Sequence, residues 1–232
     1  MTDDAEWVRE PRQARSQATL ERFVDATREL LGERTFEEIT VADIVGKAER
    51  TVGSFYARFD DKYAVLHVLV DRLHGRIGDV VAAFCDPVRW EGAPVTDFVE
   101  ESVRLNVQAY RRAGPLFRAA LQASATDERF RRRRMETNLL CAEAQKSFLL
   151  SRADELGAAR PDRASDMMYE LVSATLDHEL LFGRFTKTHP ESDLDLVAEL
   201  TDQSFHVLGI VLPGDDEVAD PSGPGEPVAP GS

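Results

Sequence analysis

The stretch 40–59 constrains the fold of this chain most, because it holds two short helical patterns around one tight connection. Thr40 precedes the first pattern and Asp43 follows three residues later, a spacing that caps the start of a helix. Thr51 can cap the second helix in the same way. The apolar residues of the first pattern recur at helical spacing, at Val41, Ile44, Val45 and Ala48. The stretch therefore predicts a helix-turn-helix whose apolar face needs a further helix to cover it.

The second of these helices carries unusual groups on its outer side. Phe55 and Phe59 share one face at spacing i, i+4 and are expected to anchor the helix inward. Small residues at the start of the helix allow a close approach to a base edge, while hydroxyl and basic groups reach phosphates. The candidate DNA contacts on this helix and beside it are Val52, Gly53, Ser54, Tyr56 and Arg58, with Arg50 just before it. The alternative is an ordinary surface helix with scattered polar groups.

Three motifs follow one another between residues 20 and 66. The first reads Thr-Val-x-Asp-Ile from Thr40, the second Gly-Ser-Phe-Tyr-x-x-Phe from Gly53, and the third Asp-Lys-x-x-x-Leu from Asp61. Together with the apolar helix before them, they resemble the N-terminal domain of the tetracycline-repressor (TetR) family of transcriptional regulators. The resemblance implies an all-α fold, in which a three-helix DNA-binding domain is joined to a larger helical domain for ligand binding and dimerisation.

The resemblance also implies roles for individual residues. Thr40 and Thr51 are expected to meet phosphates at the starts of their helices. Tyr56 and Lys62 are expected to hold the DNA backbone, and the segment 52–54 is expected to face the bases.

Glu49 departs from the family pattern, which usually has Gly in this turn and often Val at the next position, here Arg50. A Glu held in the left-handed conformation costs ~1 kcal/mol relative to Gly. Glu49 also adds a negative charge near DNA. The departure therefore bears on affinity for DNA and not on the fold.

The net charge argues against a DNA-binding protein. The chain has 28 Lys and Arg against 42 Asp and Glu, a net charge of −14, whereas nucleic-acid binders are usually basic. Residues 8–66, however, hold ten basic and eleven acidic residues, so the acid excess lies elsewhere. Salt screens distant charges over ~8 Å, so this stretch can still bind DNA if its basic side chains face phosphates.

Two other classes of function stay open. A helical dimer that has lost DNA binding and acts through protein partners fits the acidic charge and Glu49. A helical enzyme that uses a cavity in the C-terminal region is the third possibility. Because the sequence has no Gly-rich phosphate loop, no His-Glu-x-x-His and no nucleophile elbow, we predict no catalytic residue, no metal site, no cofactor and no enzyme activity.

The two cysteines and the N-terminus indicate where the protein works. Cys85 and Cys141 give neither a disulfide framework nor metal-ligand spacing, which favours a reducing compartment. The N-terminus is acidic, unlike a secretory signal, and no apolar run approaches ~20 residues. A cytoplasmic protein without a membrane partner is therefore expected.

Composition divides the chain into four segments. These are a flexible basic arm (1–15), the helix-turn-helix domain (16–66), a helical effector-binding and dimerisation domain (67–212), and a disordered acidic tail rich in Pro and Gly (213–232). Arg15 of the arm is expected to follow the DNA backbone or enter a minor groove.

The C-terminal domain is predicted to be helical throughout. The predicted helices are 61–84, 95–112, 115–124, 127–156, 162–185 and 193–211. Gly114-Pro115 is expected to break the chain between the second and the third of them. The first, 61–84, links the two domains and is expected to act as a lever.

This domain is expected to perform two tasks. The last two helices, 162–185 and 193–211, are predicted to form a homodimer interface that places two reading helices on a palindromic double-stranded DNA operator. An apolar cavity with a few polar groups is predicted to bind a small-molecule effector. Its candidate lining residues are Val103, Asn106, Tyr110, Phe117, Asn138, Cys141, Tyr169 and His178. The leading hypothesis is a homodimeric repressor that the effector releases from its operator.

Overall fold

The computed structural model describes residues 14–183, 186 and 190–212. These residues form eight α-helices and no strand, which confirms the predicted all-α fold. The helices are α1 (Ala14–Leu31), α2 (Val41–Lys47), α3 (Val52–Tyr56), α4 (Lys62–Phe84), α5 (Val95–Ser124), α6 (Glu128–Ser151), α7 (Pro161–Phe182) and α8 (Asp193–Leu208). Ala14 and Arg15 open α1, whereas the rest of the predicted arm 1–15 and the predicted tail 213–232 lie outside the described residues.

Three phenylalanine rings form the centre of the N-terminal domain, which comprises α1, α2, α3 and the start of α4. Phe23 of α1 meets Phe55 and Phe59 edge to face, with ring centroids 5.3 and 6.2 Å apart. All three rings are almost completely buried. Such aromatic pairs contribute roughly 0.5–1.5 kcal/mol beyond the area they bury, so α3 is held firmly against α1.

Reciprocal caps fix where α2 and α3 begin. The Thr40 hydroxyl accepts from the Asp43 backbone N–H at 3.2 Å, and the Asp43 carboxylate accepts from the Thr40 N–H at 2.9 Å. Thr51 and Ser54 exchange the same pair of hydrogen bonds at 3.2 Å each. Because each cap uses residues only three positions apart, the sequence alone predicts both helix starts correctly.

Helix α4 connects the two domains without interruption. The Asp61 carboxylate caps it by accepting from the Ala64 N–H at 2.9 Å. Its first half is buried against the N-terminal domain, through Val65, Leu66, Val68 and Leu69, whereas Val81 and Phe84 at its other end are buried in the C-terminal domain. The predicted single connecting helix is therefore correct.

The predicted break at Gly114-Pro115 is wrong, because α5 runs through both residues. Pro115 removes one backbone hydrogen bond and normally costs about 3 kcal/mol inside a helix. Packing offsets this cost. Leu116, Ala119 and Ala123, which follow the proline, are buried in the core of the N-terminal domain.

The remaining helices pack around α5. Helix α6 ends at Ser151 and is followed by a 3₁₀ turn, Ala153–Glu155, instead of continuing to 156 as predicted. Helices α7 and α8 end at Phe182 and Leu208, earlier than the predicted 185 and 211. In the described part of the chain, no helix has the length and apolar character needed to span a membrane.

Two glycines bring the end of α8 against the segment that follows α6. Gly209 has a φ of 69°, and a Cβ atom there would lie 2.5 Å from the backbone nitrogen of Ala158. A Cβ at Gly157 would lie 2.2 Å from the carbonyl oxygen of Gly209. The backbones touch directly, and the Ala158 N–H donates to the Leu208 carbonyl at 3.1 Å.

Candidate DNA-binding helix and internal cavity

The outer face of α3 is open to solvent. The side chains of Val52 and Tyr56 are each 49% exposed. Gly53 lies between them, and no atom lies within 4 Å of the position that a Cβ would take. The inward face is occupied by buried Phe55. The first turn of α3 therefore presents a small, accessible surface anchored from behind.

The hydroxyl of Ser54 is already engaged. It donates to the Thr51 carbonyl at 2.7 Å and accepts from the Thr51 N–H. The Thr51 hydroxyl accepts in turn from the Ser54 N–H. Thr51 and Ser54, which are both candidate DNA contacts, therefore also cap the start of α3.

Two arginines lie beside this surface. Arg58 donates to the Ser54 carbonyl at 3.0 Å, and Arg50 donates to the Glu49 carbonyl at 2.8 Å. Both are only partly buried. The side chain of Arg15, the third predicted arginine, lies outside the described residues.

Lys62 is bound within the protein. Its ammonium group donates to the carbonyl oxygens of Phe36, Glu37 and Ile39, at 2.9, 3.1 and 2.9 Å. It also lies 4.8 Å from the centre of the Phe36 ring. Since an ammonium has three N–H donors, these carbonyls use all of them. Lys62 therefore binds backbone carbonyls within the protein, a role that differs from the predicted contact with a DNA phosphate.

Glu49 adopts the left-handed conformation that its place in the turn suggested. Its φ is 53°, and it is the one residue other than glycine with positive φ in the described part of the chain. Its carboxylate is 84% exposed and lies 3.9 Å from the guanidinium of Arg22.

A cavity of about 420 Å³ lies between α4, α5, α6 and α7. Six of the eight predicted effector-site residues line it: Asn106, Tyr110, Phe117, Asn138, Cys141 and Tyr169. Most of the remaining lining is aliphatic or aromatic. An apolar enclosure with a few polar groups is the usual form of a small-molecule site.

One polar cluster joins three helices at the cavity. The Tyr110 hydroxyl donates to the Asp177 carboxylate at 2.7 Å, and Arg134 forms an ion pair with the same carboxylate. Nearby, the Tyr169 hydroxyl donates to the side-chain oxygen of Asn138 at 3.3 Å. These bonds fix polar groups of α5, α6 and α7 around a common space.

The N-terminal domain matches a family of known proteins. Residues 23–69 match the family model described as bacterial regulatory proteins, tetR family. The chain carries the N-terminal domain of the TetR family. The match covers α2, α3 and the parts of α1 and α4 that bury them.

The whole fold agrees with solved TetR-family structures. A Mesorhizobium loti protein assigned to this family aligns with a TM-score of 0.66 at 14% identity, over 85% of this chain and 98% of its own. A TetR-family regulator from Pectobacterium atrosepticum gives 0.60 at 16%, over 88% and 99%. Salmonella enterica GusR gives 0.61 at 16%, over 82% and 95%. None of the curated proteins matches the chain. At these identities the likeness establishes the fold.

Two predicted effector-site residues do not line the cavity. Val103 is 1% exposed and packs with Val172 and Leu196 in a separate core cluster between α5, α7 and α8. His178 lies on α7 beside Phe182, with ring centroids 5.3 Å apart. Periodicity places both residues on plausible helix faces, but it does not show which neighbouring helix each face meets.

The thiol, phenol and imidazole groups that line the cavity are shifted towards their neutral forms. Burial raises the pKa of the Cys85 and Cys141 thiols, each to about 11. Burial is also the main cause that raises the pKa of Tyr110 and of Tyr169, with Asp177 and Cys141 respectively adding to it. The pKa of His74 is lowered, by burial first and by Arg133 second.

Sequence reasoning missed several lining residues. His74 Nδ1 lies within hydrogen-bond distance of the Thr137 hydroxyl, at 2.7 Å, and that hydroxyl also lies 2.9 Å from the Arg133 carbonyl. Gln145 accepts from the Ser102 hydroxyl at 3.1 Å. The other polar lining residues that it missed are Arg76, Gln108, Arg112, Arg134 and Ser173. The sequence signal that could have found His74 is its position among the apolar residues Leu73 and Ile77 of α4, where a polar group suggests a cavity lining.

Proposed function

We propose that the protein is a homodimeric transcriptional regulator that reads a palindromic operator with α3. In this proposal it is a repressor, and a small molecule bound in the cavity releases it from DNA. One observation carries the proposal. The exposed first turn of α3, at Val52, Gly53 and Tyr56, is anchored from behind by Phe55 within a TetR-type domain.

The C-terminal part of α5 supports a link between the cavity and the DNA-binding domain. Phe117 and Ala120 line the cavity. Leu116 and Ala119 are buried in the core that also holds Phe23 and Phe55, and Ala120 packs against that core as well. A ligand that displaces Phe117 therefore acts on a turn of α5 whose neighbouring residues belong to the core of the DNA-binding domain.

The free energy that couples the cavity to the DNA-binding domain is expected to lie in the usual range for two linked binding sites. Coupling between two sites is typically ~1–3 kcal/mol, which weakens operator binding about 5- to 150-fold. Helix α4 provides a second route, since it is buried in the same N-terminal core and lines the cavity at Val70, Leu73 and Ile77.

The outer faces of α7 and α8 support the proposed dimer. Met167 on α7 is 49% exposed, and Leu194 on α8 is 80% exposed. Ala174 and Ala198 are exposed on the same two helices and allow close approach of a partner helix. The proposal requires a two-fold axis at this face that sets two copies of α3 about 34–36 Å apart, one turn of DNA.

Selection of genomic DNA fragments by the purified protein tests the proposal. Val52→Ala and Tyr56→Ala remove exposed groups of α3, whereas Val88→Ala removes the same atoms as Val52→Ala from a 75% exposed site in the C-terminal domain. We expect the wild type and Val88→Ala to enrich one palindrome, and both α3 variants to lose it. Equal enrichment by all four proteins would contradict reading by α3.

A second measurement tests operator binding by phosphate contact. Binding to the selected palindrome should weaken steeply as salt rises, because phosphate contacts release counterions. A protein that selects no fragment, with or without cavity ligands, would support action through protein partners instead.

A further inference from the structure

The charges that line the cavity are all of one sign. Arg76 of α4, Arg112 of α5 and Arg134 of α6 line it, whereas no Asp or Glu is among its lining residues in the described chain. The whole chain has 42 acidic and 28 basic residues. The charged residues of the lining are therefore all cationic, although the protein as a whole is acidic.

The arginines differ in how they are neutralised. Arg134 is paired with Asp177, which is not one of the lining residues. Within residues 14–183, 186 and 190–212, no ion pair or hydrogen bond is found for the exposed guanidinium of Arg76 or of Arg112. By contrast, Arg104 and Arg111 on α5 are each paired with two carboxylates. Arg76 and Arg112 are thus available to an anion.

The other polar groups add no negative charge to the cavity. Tyr110 and Tyr169 keep their protons, and so do the thiols of Cys85 and Cys141, since burial raises the pKa of each group. A ligand with a positive charge would therefore meet no carboxylate on the lining and would lose hydration without gaining a partner.

The rest of the lining is suited to an apolar ligand body. Side chains from two helices and the start of a third surround the space: Leu73, Ile77, Val81, Phe84, Phe117 and Phe130. Burying apolar ligand surface against them contributes ~25 cal/mol for each square ångström removed from water. The cavity thus combines an apolar interior with two unpaired cations.

We propose that the cavity selects amphipathic anions, in which an apolar body fills the space and a single carboxylate or sulfonate is held by Arg76 and Arg112. This inference rests on the proposed function only in taking the cavity as the effector site. It assigns the effector a chemical class. A cationic amphiphile is excluded by the same charges.

Two fluorescent probes that differ in one group test the charge preference. Anilinonaphthalene sulfonate carries the anion, and phenylnaphthylamine has the same ring system without it. Both report binding by a rise in fluorescence. We expect the wild-type protein to bind the sulfonate more tightly than the neutral probe.

Charge-removing variants assign the preference to residues. Arg76→Gln and Arg112→Gln should each weaken sulfonate binding by about 2- to 5-fold, the scale of an exposed ion pair, and leave binding of the neutral probe unchanged. Arg118→Gln is the matched control, because Arg118 is an exposed arginine of α5 outside the cavity lining. Equal loss of both probes in a variant would indicate damage to the cavity and would contradict the assignment.

A gain of affinity for the anion alone provides a further test, because a partly unfolded variant would bind both probes more strongly. Asp177→Asn removes the carboxylate that neutralises Arg134 while keeping an oxygen to accept from Tyr110. We expect this variant to bind the sulfonate more tightly than the wild type and the neutral probe equally well. An unchanged or lower preference for the anion would overturn the role of the cationic lining.

Displacement of the probe extends the test to simple amphiphiles. Decanoate should displace the sulfonate, decanol should do so more weakly, and decylamine should be the weakest. If decylamine displaces the probe as well as decanoate does, or if none of the three displaces it, the inference is wrong.

Operator binding is measured separately with the same ligands. If decanoate binds the cavity and leaves operator affinity unchanged, the release mechanism fails while the anion preference stands. If operator affinity responds equally to decanoate and decylamine, the anion preference fails while the release mechanism stands.

Discussion

The ammonium group of Lys62 lies over the ring of Phe36 and donates to the Phe36 carbonyl at 2.9 Å. Two further bonds, to the carbonyls of Glu37 and Ile39, tie the start of α4 to the 3₁₀ turn Phe36–Glu38 and to the residue after it, which precede α2. The helix-turn-helix is therefore joined to α4 through one side chain. The resemblance to the TetR family had suggested only a DNA contact for this lysine.

Replacing this lysine should destabilise the N-terminal domain. We expect Lys62→Met to lower the free energy of unfolding by about 1–3 kcal/mol, because the partly buried carbonyls of Phe36 and Ile39 and the exposed carbonyl of Glu37 lose a charged donor. Urea denaturation measures the change. Lys146→Met is the control, since Lys146 pairs only with partly exposed carboxylates and should matter little. If Lys62 mainly contacts phosphate, its replacement should instead reduce the salt slope of operator binding by about 1 with unchanged stability.

The left-handed turn at Glu49 gives a test that separates strain from charge. Glu49→Gly should stabilise the protein by ~1 kcal/mol, because glycine adopts a φ of 53° without a Cβ clash. Glu49→Gln keeps the strain and removes the charge, so it should leave stability nearly unchanged. Both variants should bind the operator more tightly at low salt. Tighter binding by the glycine variant alone would show that charge near DNA is unimportant here.

The proposed dimer predicts different effects for two exposed methionines. Met167→Glu places a charge on the outer face of α7, whereas Met135→Glu places one on α6 at a site of similar exposure, 58% against 49%. We expect only Met167→Glu to shift the protein towards monomer in analytical ultracentrifugation, because a charge buried at an interface is costly. A shift caused equally by Met135→Glu would point to α6 as part of the interface.

The contact between Gly157 and Gly209 predicts a large loss of stability on adding one methyl group. Gly209→Ala should lower the melting temperature markedly, since alanine is strained at a φ of 69° and its Cβ would lie 2.5 Å from the Ala158 nitrogen. Gly46→Ala is the matched control, because nothing lies within 4 Å of its Cβ position in α2. That variant should be neutral or stabilising by about 0.5–1 kcal/mol.

His67 makes stability depend on pH. It stacks on Phe130 at 3.6 Å, and burial, followed by the charge of Arg129, lowers its pKa from 6.5 to about 4. The unfolded chain therefore binds more protons between these values, so the free energy of unfolding falls as pH drops from 6.5 towards 4. Urea denaturation across this range should show a shallower pH dependence in His67→Gln. His206→Gln, at an exposed site, should keep the wild-type dependence.

The sequence by itself determined the helix-turn-helix. The caps at Thr40 and Thr51 and the inward pair Phe55 and Phe59 depend on contacts within a few residues, so their spacing is sufficient to predict them. The left-handed backbone at Glu49 was suggested by the same short turn. The sequence also identified six residues that line the cavity. Polar groups that interrupt an apolar helix face indicate a ligand cavity instead of a fully packed core.

Only the tertiary structure decided which helix faces meet. The continuity of α5 through Pro115 depends on Leu116 and Ala119 being buried against the N-terminal domain, a contact that no local pattern contains. The cluster of Tyr110, Arg134 and Asp177 joins residues 67 and 43 positions apart. Helical periodicity fixes the face on which a residue lies, whereas the relative placement of helices arises from packing of the whole chain. That is why Val103 belongs to a core cluster and Arg112 to the cavity.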